Sequence, residues 1–197
     1  MWLGVARVGA NEFEILMEGV GLGFRHILPE GLDHIAFLLG LFFLVRSFPG
    51  LLMQVTLFTL AHSLMLGVVI VTGLSVPLSW VEVAVGLSIA AVAMENFFPT
   101  RLQKLRPWLV IAFGAIHGLA FAHNLVLAPM MRANPMAALF GFNFGVELGQ
   151  LAVIGTAYLL LHAWWSRAWY ERRIAWAAAA LIAISGVFWA VERGLGI

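Results

Sequence analysis

The chain has 197 residues, of which 62% are hydrophobic and only 11% charged, with a mean hydropathy of +0.97. A soluble domain is roughly half apolar and about a quarter charged, so this composition excludes a water-soluble globule and implies an integral membrane protein. Zero cysteines exclude disulfide scaffolds, iron–sulfur clusters, thiolate zinc sites and cysteine nucleophiles, and a net charge of +1 without a long Lys/Arg run excludes a nucleic-acid surface.

Residues 11–28 predict a short amphipathic helix lying at the membrane interface. Asn11 with Glu14 reads as a capping box; Phe13, Leu16, Met17 and Val20 follow at helical spacing opposite Glu14 and Glu18; Gly21, Gly23 and Pro29 are expected to end the helix. The segment is too charged to span and lacks the basic start and cleavage site of a signal peptide, so it is expected to stay on the protein.

Six apolar stretches follow, near 32–46, 51–73, 77–98, 108–128, 137–163 and 173–191. Crossing a hydrocarbon core takes about 20 residues, so the expectation is an all-α, polytopic bundle of six transmembrane helices, a single transmembrane domain over residues 1–197. Continuous apolar runs without alternation exclude a β-barrel. Pro49-Gly50, Gly73 to Pro77, Pro99, Pro107 and Pro135 mark the breaks.

Arg46, Arg101, Lys104, Arg106, Arg167, Arg172 and Arg173 fall on one side of this bundle, against Arg7, Arg25, Arg132 and Arg193 on the other. Seven against four orients the larger set to the cytoplasm and both termini to the periplasm of a bacterial inner membrane. Trp80, Trp108, Trp164, Trp165 and Trp169 are placed near span ends, in the headgroup zone.

Ionisable residues inside spans cost several kcal/mol unless paired. This chain has Asp33 and His34 at the start of span one, His62 in span two, Glu82 and Glu95 in span three, His117 and His123 in span four, and Glu147 in span five. Asn143, Glu147 and Gln150 share one helical face. His62, His117 and Glu147 each lie about ten residues from the outer helix end, about 15 Å deep; Glu82 lies about 7 Å deep, with Asp33 and His34 at the rim. This descending series predicts a site loaded from outside. Imidazole with carboxylate and amide oxygen suits nickel, cobalt, zinc or copper(II) better than calcium or magnesium. Gly114 and Gly118 around His117, and Gly141, Gly145 and Gly149 on span five, are small-xxx-small spacings that let helices approach closely.

Other polar residues carry simpler readings. His123, His162, Gln54 and Asn96 read as interhelical hydrogen bonds, Glu95 as a residue reaching the cytoplasmic surface or Arg101, and the scattered methionines as filler. Phe58-Thr-Leu-Ala-His62-Ser-Leu and Phe113-Gly-Ala-Ile-His117-Gly-Leu, each followed by a Val-Glu pair at 81–82 and 146–147, suggest a parallel internal repeat.

The segments Gly23-Phe-Arg-His26-Ile-Leu-Pro-Glu-Gly31-Leu-Asp33-His34, Phe58 to Ser63, Glu95-Asn96, Phe113 to Ala122 and Phe142 to Leu151 together resemble the HupE/UreJ family, nickel permeases associated with hydrogenase and urease accessory genes. The resemblance runs from about residue 13 to 160, and the longer His26–Asp33 spacing marks a divergent branch. It implies an inner-membrane helix bundle handling a transition metal. It also implies metal-site roles for His26, Asp33 and His34 as the recognition element, and for His62, His117, Asn143 and Glu147.

The expectation is therefore a permease for a divalent transition metal, nickel first, acting at Asp33, His34, Glu82, His62, His117, Asn143 and Glu147, with the lipid bilayer and the ion as partners. Two rivals remain at this point: an intramembrane zinc-dependent lipid hydrolase with Glu147 as base, and a non-catalytic subunit of a larger membrane complex or homo-oligomer, with His62 and His117 ligating haem or metal.

Overall fold

The structure, a computed structural model, describes residues 11–98, 102–126, 128–167 and 169–196; Arg7, Pro99 and Arg101, used above, lie outside them. The described chain is all-helical: α1 (Glu12–Ile27), α2 (Leu32–Leu44), α3 (Phe48–Thr72), α4 (Leu78–Glu95), α5 (Arg106–Val126), the short α6 (Pro129–Ala133), α7 (Pro135–Leu161) and α8 (Trp176–Leu195). A π turn, Glu171–Ala175, leads into α8. Each apolar stretch contains a helix at its expected position.

Four segments are long and apolar enough to cross a membrane: Phe48–Thr72, Leu78–Glu95, Pro135–Trp164 and Glu171–Leu195. A fifth results if α1 and α2, bent by 67° at their short break, count as one broken span, and α5 contributes a shorter apolar stretch. Large side chains facing outward, such as Leu64, Val71, Leu159, Leu181 and Ile184, form an exterior suited to lipid. Trp80 and Trp108 are exposed in the first turns of α4 and α5.

The capping box at the start of α1 is formed: Glu14 N donates to Asn11 Oδ1 at 2.9 Å and Asn11 N to Glu14 Oε2 at 3.3 Å. Two further expectations for this segment need correction. Gly21 and Gly23 lie inside the helix, which runs on to Ile27. Nor does the helix lie apart from the bundle: it runs parallel to α7, with backbones in contact. A Cβ on Gly141 would strike the Leu16 carbonyl, one on Gly145 the Val20 carbonyl, and one on Gly149 the Ile27 side chain at 2.7 Å. The reason lies in the glycines of both helices. Gly19 would meet Ala138 O at 2.7 Å and Gly23 would meet Val146 N at 2.9 Å, so each helix presents a groove that receives the other's backbone.

Two more glycine-mediated pairs complete the frame. Gly114 and Gly118 of α5 sit against the carbonyls of Phe58 and His62 on α3, an ascending register that makes these helices parallel, as the repeat predicts. Gly86 of α4 and Gly186 of α8 pack reciprocally in antiparallel register: a Cβ on Gly86 would stand 2.7 Å from Ala190 N, and one on Gly186 2.7 Å from Ala90 N. At the inner end Glu95 is buried and accepts from Arg106 Nε and Nη2 at 2.8 and 2.6 Å, so it neither snorkels nor needs Arg101. Asn96 donates across to Gly40 O on α2 at 3.2 Å, the interhelical bond expected of it. His162 instead contacts Tyr158 O in its own helix, at 3.0 Å.

Candidate metal centre

The break between α1 and α2 changes the expected depths. Because α1 descends along α7 before α2 begins, His26 at the end of α1 and His34 at the start of α2 are carried into the bundle, to the level of His62 and His117. His34 is no rim residue: it is 6% exposed, with His62 at 0% and His117 at 1%. Ring centroids lie 4.6 Å apart for His26–His34, 5.7 Å for His34–His62, 4.9 Å for His34–His117 and 5.9 Å for His26–His62. Four helices thus contribute one imidazole each.

Phenylalanines hold the rings. Phe121 lies 3.7 Å from His26 and stacks on Phe142 at 5.0 Å, while Phe58 packs against both His62 and His117, at 6.2 and 5.1 Å. Five buried imidazole nitrogens have no hydrogen-bond partner: His26 Nε2, His34 Nε2, both nitrogens of His62, and His117 Nδ1. Buried polar atoms are normally satisfied, so this concentration marks a place that binds something. Ligand atoms of His26, His34 and His62 all lie within 4.8 Å of one another. Imidazole nitrogens sharing an ion at about 2.0–2.1 Å stand about 3–4 Å apart, so small side-chain adjustments close the triad.

Above the imidazoles is a cavity of about 170 Å³, lined by His26, Glu30, Asp33, His34, Glu82, His117 and Arg193 among others. Asp33, expected as a ligand, is held by Arg193 Nη2 at 2.8 and 3.0 Å, and Arg193 Nη1 reaches the Glu82 carbonyl at 3.4 Å. Three carboxylates against one guanidinium leave the mouth net negative, a field that concentrates cations.

Glu147 and Asn143 do not line this cavity. The Glu147 carboxylate lies 3.5 Å from Thr56 Oγ1, six residues along α3 from His62, or about 9 Å along the helix. The carboxylate thus reaches toward Thr56 and not into the cavity, while the register of α1 on α7, Val20 at Gly145 and Ile27 at Gly149, places Glu147 itself opposite His26. The glycines of α7 dock α1, and with it His26. Glu147, the base of the hydrolase reading, is not among the residues that line the cavity. Gln150, a neighbour of Glu147 on α7, accepts from Thr59 Oγ1 at 2.6 Å, and Asn143 Oδ1 is buried without a partner. The side chain of His123 is outside the described residues.

Sequence reasoning missed Ser88, whose Oγ is 3.0 Å from His117 Nε2, and Arg193, counted only as a topology marker. A buried hydroxyl inside an apolar span was the available signal for Ser88. For Arg193 there was none, since its partner is distant in sequence.

Fold and site define a class: a multi-pass helical membrane protein with a buried cluster of histidines beneath an acidic cavity. The family model described as HupE / UreJ protein matches residues 5–193, and the chain belongs to that family. No curated protein and no solved structure matches it. The family is one of membrane metal transporters and accessory proteins, and it is not known for enzymes.

Proposed function

We propose that this chain is an inner-membrane permease for a divalent transition metal, nickel first, with cobalt, zinc and copper as competitors. The observation that carries the reading is the set of five unpartnered imidazole nitrogens from four helices under a net negative mouth. In this reading the bent α1–α2 pair is the first of six spans, the whole chain is one transmembrane unit, and both termini are periplasmic. The cavity then opens outward, because Glu82 and Arg193 lie at the periplasmic ends of α4 and α8.

The ion is drawn in by Glu30, Glu82 and Asp33 and held by His26, His34, His62 and His117. The next polar groups inward along α3 are Thr59, bonded to Gln150, and Thr56, at Glu147, followed by Gln54, buried with an unpartnered Oε1; Asn143 lies one turn outward of Glu147 on α7. An inward dication gains about 4.6 kcal/mol across a 100 mV potential, enough to drive accumulation without a nucleotide motor. Imidazole protonation competes with the ion, so influx falls as the outside is acidified.

The test is nickel influx into proteoliposomes under an inside-negative potential. Wild-type influx that the His62→Ala, His117→Ala double variant loses supports the permease. Absence of influx for nickel, cobalt, zinc and copper overturns it.

A further inference from the structure

The centre's most acidic approach is blocked by the protein itself. Asp33, the carboxylate adjacent to His34 in sequence, is not available to an incoming cation: both its oxygens are taken by Arg193 Nη2, at 3.0 and 2.8 Å, and both side chains are about three-quarters buried, 26% and 23% exposed. By contrast Glu30 and Glu82, which line the same cavity, have no side-chain partner among the described residues. The one carboxylate at the mouth that carries a counter-cation is the one next to a histidine of the cluster.

The position of Arg193 follows from the packing of its helix. Gly86 and Gly186 bring α4 and α8 so close that a Cβ on Gly86 would stand 2.7 Å from Ala190 N, and Arg193 stands one turn beyond this contact, over the cavity. Beyond it only Gly194 and Leu195 remain in the helix. A cation is favoured at a helix C-terminus, and a last turn opens at low cost, so the guanidinium is held where it is stable and where it can move. An alternative perch is at hand: the Trp189 ring lies 5.9 Å from Arg193 Cζ, within cation–π range.

We propose that Arg193 is a tethered counter-cation that occupies Asp33 in the empty protein and is displaced from it by the incoming dication. Asp33 exchanges one cation for another, so the carboxylate is never left bare, and the exchange frees the end of α8 from α2. A monovalent ion gains only half the Coulomb energy that a dication gains from Asp33, Glu30 and Glu82, too little to break a charge-assisted pair in which Arg193 Nη2 bridges both Asp33 oxygens. Arg193 thereby acts as a specificity-determining residue that raises the threshold for admission. This inference rests on the permease reading above.

The experiment is equilibrium binding of nickel alone to the purified full chain in nanodiscs. Removing the guanidinium charge with Arg193→Gln is expected to tighten nickel binding about tenfold, while Arg193→Lys, which keeps it, changes affinity by less than about threefold. In an Asp33→Asn background Arg193→Gln is expected to have no effect, since the carboxylate it competed for is gone. Unchanged or weaker binding by Arg193→Gln, or an equal gain in the Asp33→Asn background, overturns the proposal and leaves the permease reading standing. A wild type that binds none of the four metals overturns both. Hydrogen exchange of the wild type needs no variant to fold: nickel should speed exchange in the last turn of α8, and slower or unchanged exchange there overturns the displacement.

Discussion

Ser88 Oγ lies 3.0 Å from His117 Nε2 and 2.7 Å from the Val85 carbonyl, and its hydroxyl has one proton for the two contacts. With that proton on the carbonyl, the shorter contact, the imidazole is the donor in this pair. In that arrangement His117 is the Nε2–H tautomer, with the lone pair on Nδ1, the nitrogen that is buried and unpartnered. No proton has to leave this ring before it binds a metal ion.

Ser88→Ala removes the acceptor without opening the bundle. Loss of such an orienting partner costs about 10–100-fold in metal affinity. We expect nickel binding to weaken by about that factor, with unchanged helical content and one fewer imidazole in the nickel X-ray absorption signature. Ser79→Ala, at the exposed start of α4, should bind as the wild type does. Equal affinity for Ser88→Ala would remove His117 from the ligand set.

The parallel α3–α5 pair gives a stability prediction. A methyl group on Gly118 would meet the His62 carbonyl and stand 3.0 Å from His62 Cα, backbone atoms that cannot move without shifting α3. Gly118→Ala should cost about 1–3 kcal/mol and weaken nickel binding as well, since the displaced residue is His62. Gly155 has open space around its Cβ position, so Gly155→Ala should be stabilising by about 0.5–1 kcal/mol through helix propensity alone. Thermal unfolding of the two variants side by side checks the contrast.

Helix positions were legible in the sequence because runs of apolar residues bounded by Pro and Gly are set by local chemistry, and the Asn11–Glu14 cap is local too. His62 and His117 stood out because an imidazole deep in a span is costly. What the sequence did not yield was packing between distant segments. Gly21 and Gly23 read as helix breakers, whereas Gly141, Gly145 and Gly149 make Gly23, with Gly19, half of a close interface; only the pairing shows that α1 is inserted. His34 was read at the rim because depth was counted along a straight span, and the α1–α2 bend makes that count wrong. Arg193 and Asp33 are 160 residues apart, and no pattern within either segment announces the pair.

The buried Glu95–Arg106 pair predicts a sharp asymmetry between single and double variants. Their side chains are only 4% and 11% exposed, so removing Arg106 leaves the Glu95 carboxylate buried without its counter-charge. Arg106→Leu should cost about 3–5 kcal/mol, while the Glu95→Leu, Arg106→Leu double variant should recover most of that loss, because two desolvated charges are replaced by apolar packing. A double-mutant cycle by denaturation in detergent measures it. Additive losses would mean that the two side chains act independently.

Glu147 separates binding from transfer. Its carboxylate is at Thr56, about 9 Å along α3 from His62, and it does not line the cavity. If the imidazoles hold the ion, Glu147→Gln should leave nickel affinity within about twofold of wild type, because no ligand is lost. Yet a carboxylate kept within a span at a cost of a few kcal/mol implies use, and an inward-moving dication leaving neutral imidazoles has Glu147 as the next anionic group along α3 and α7. Influx at saturating nickel should therefore fall by about tenfold, a barrier increase of about 1.4 kcal/mol. Binding isotherms and proteoliposome influx on the same preparation distinguish the outcomes. Lost binding would make Glu147 a ligand and require α7 to rotate toward the histidines, whereas unchanged influx would leave the carboxylate with only a packing role beside Thr56.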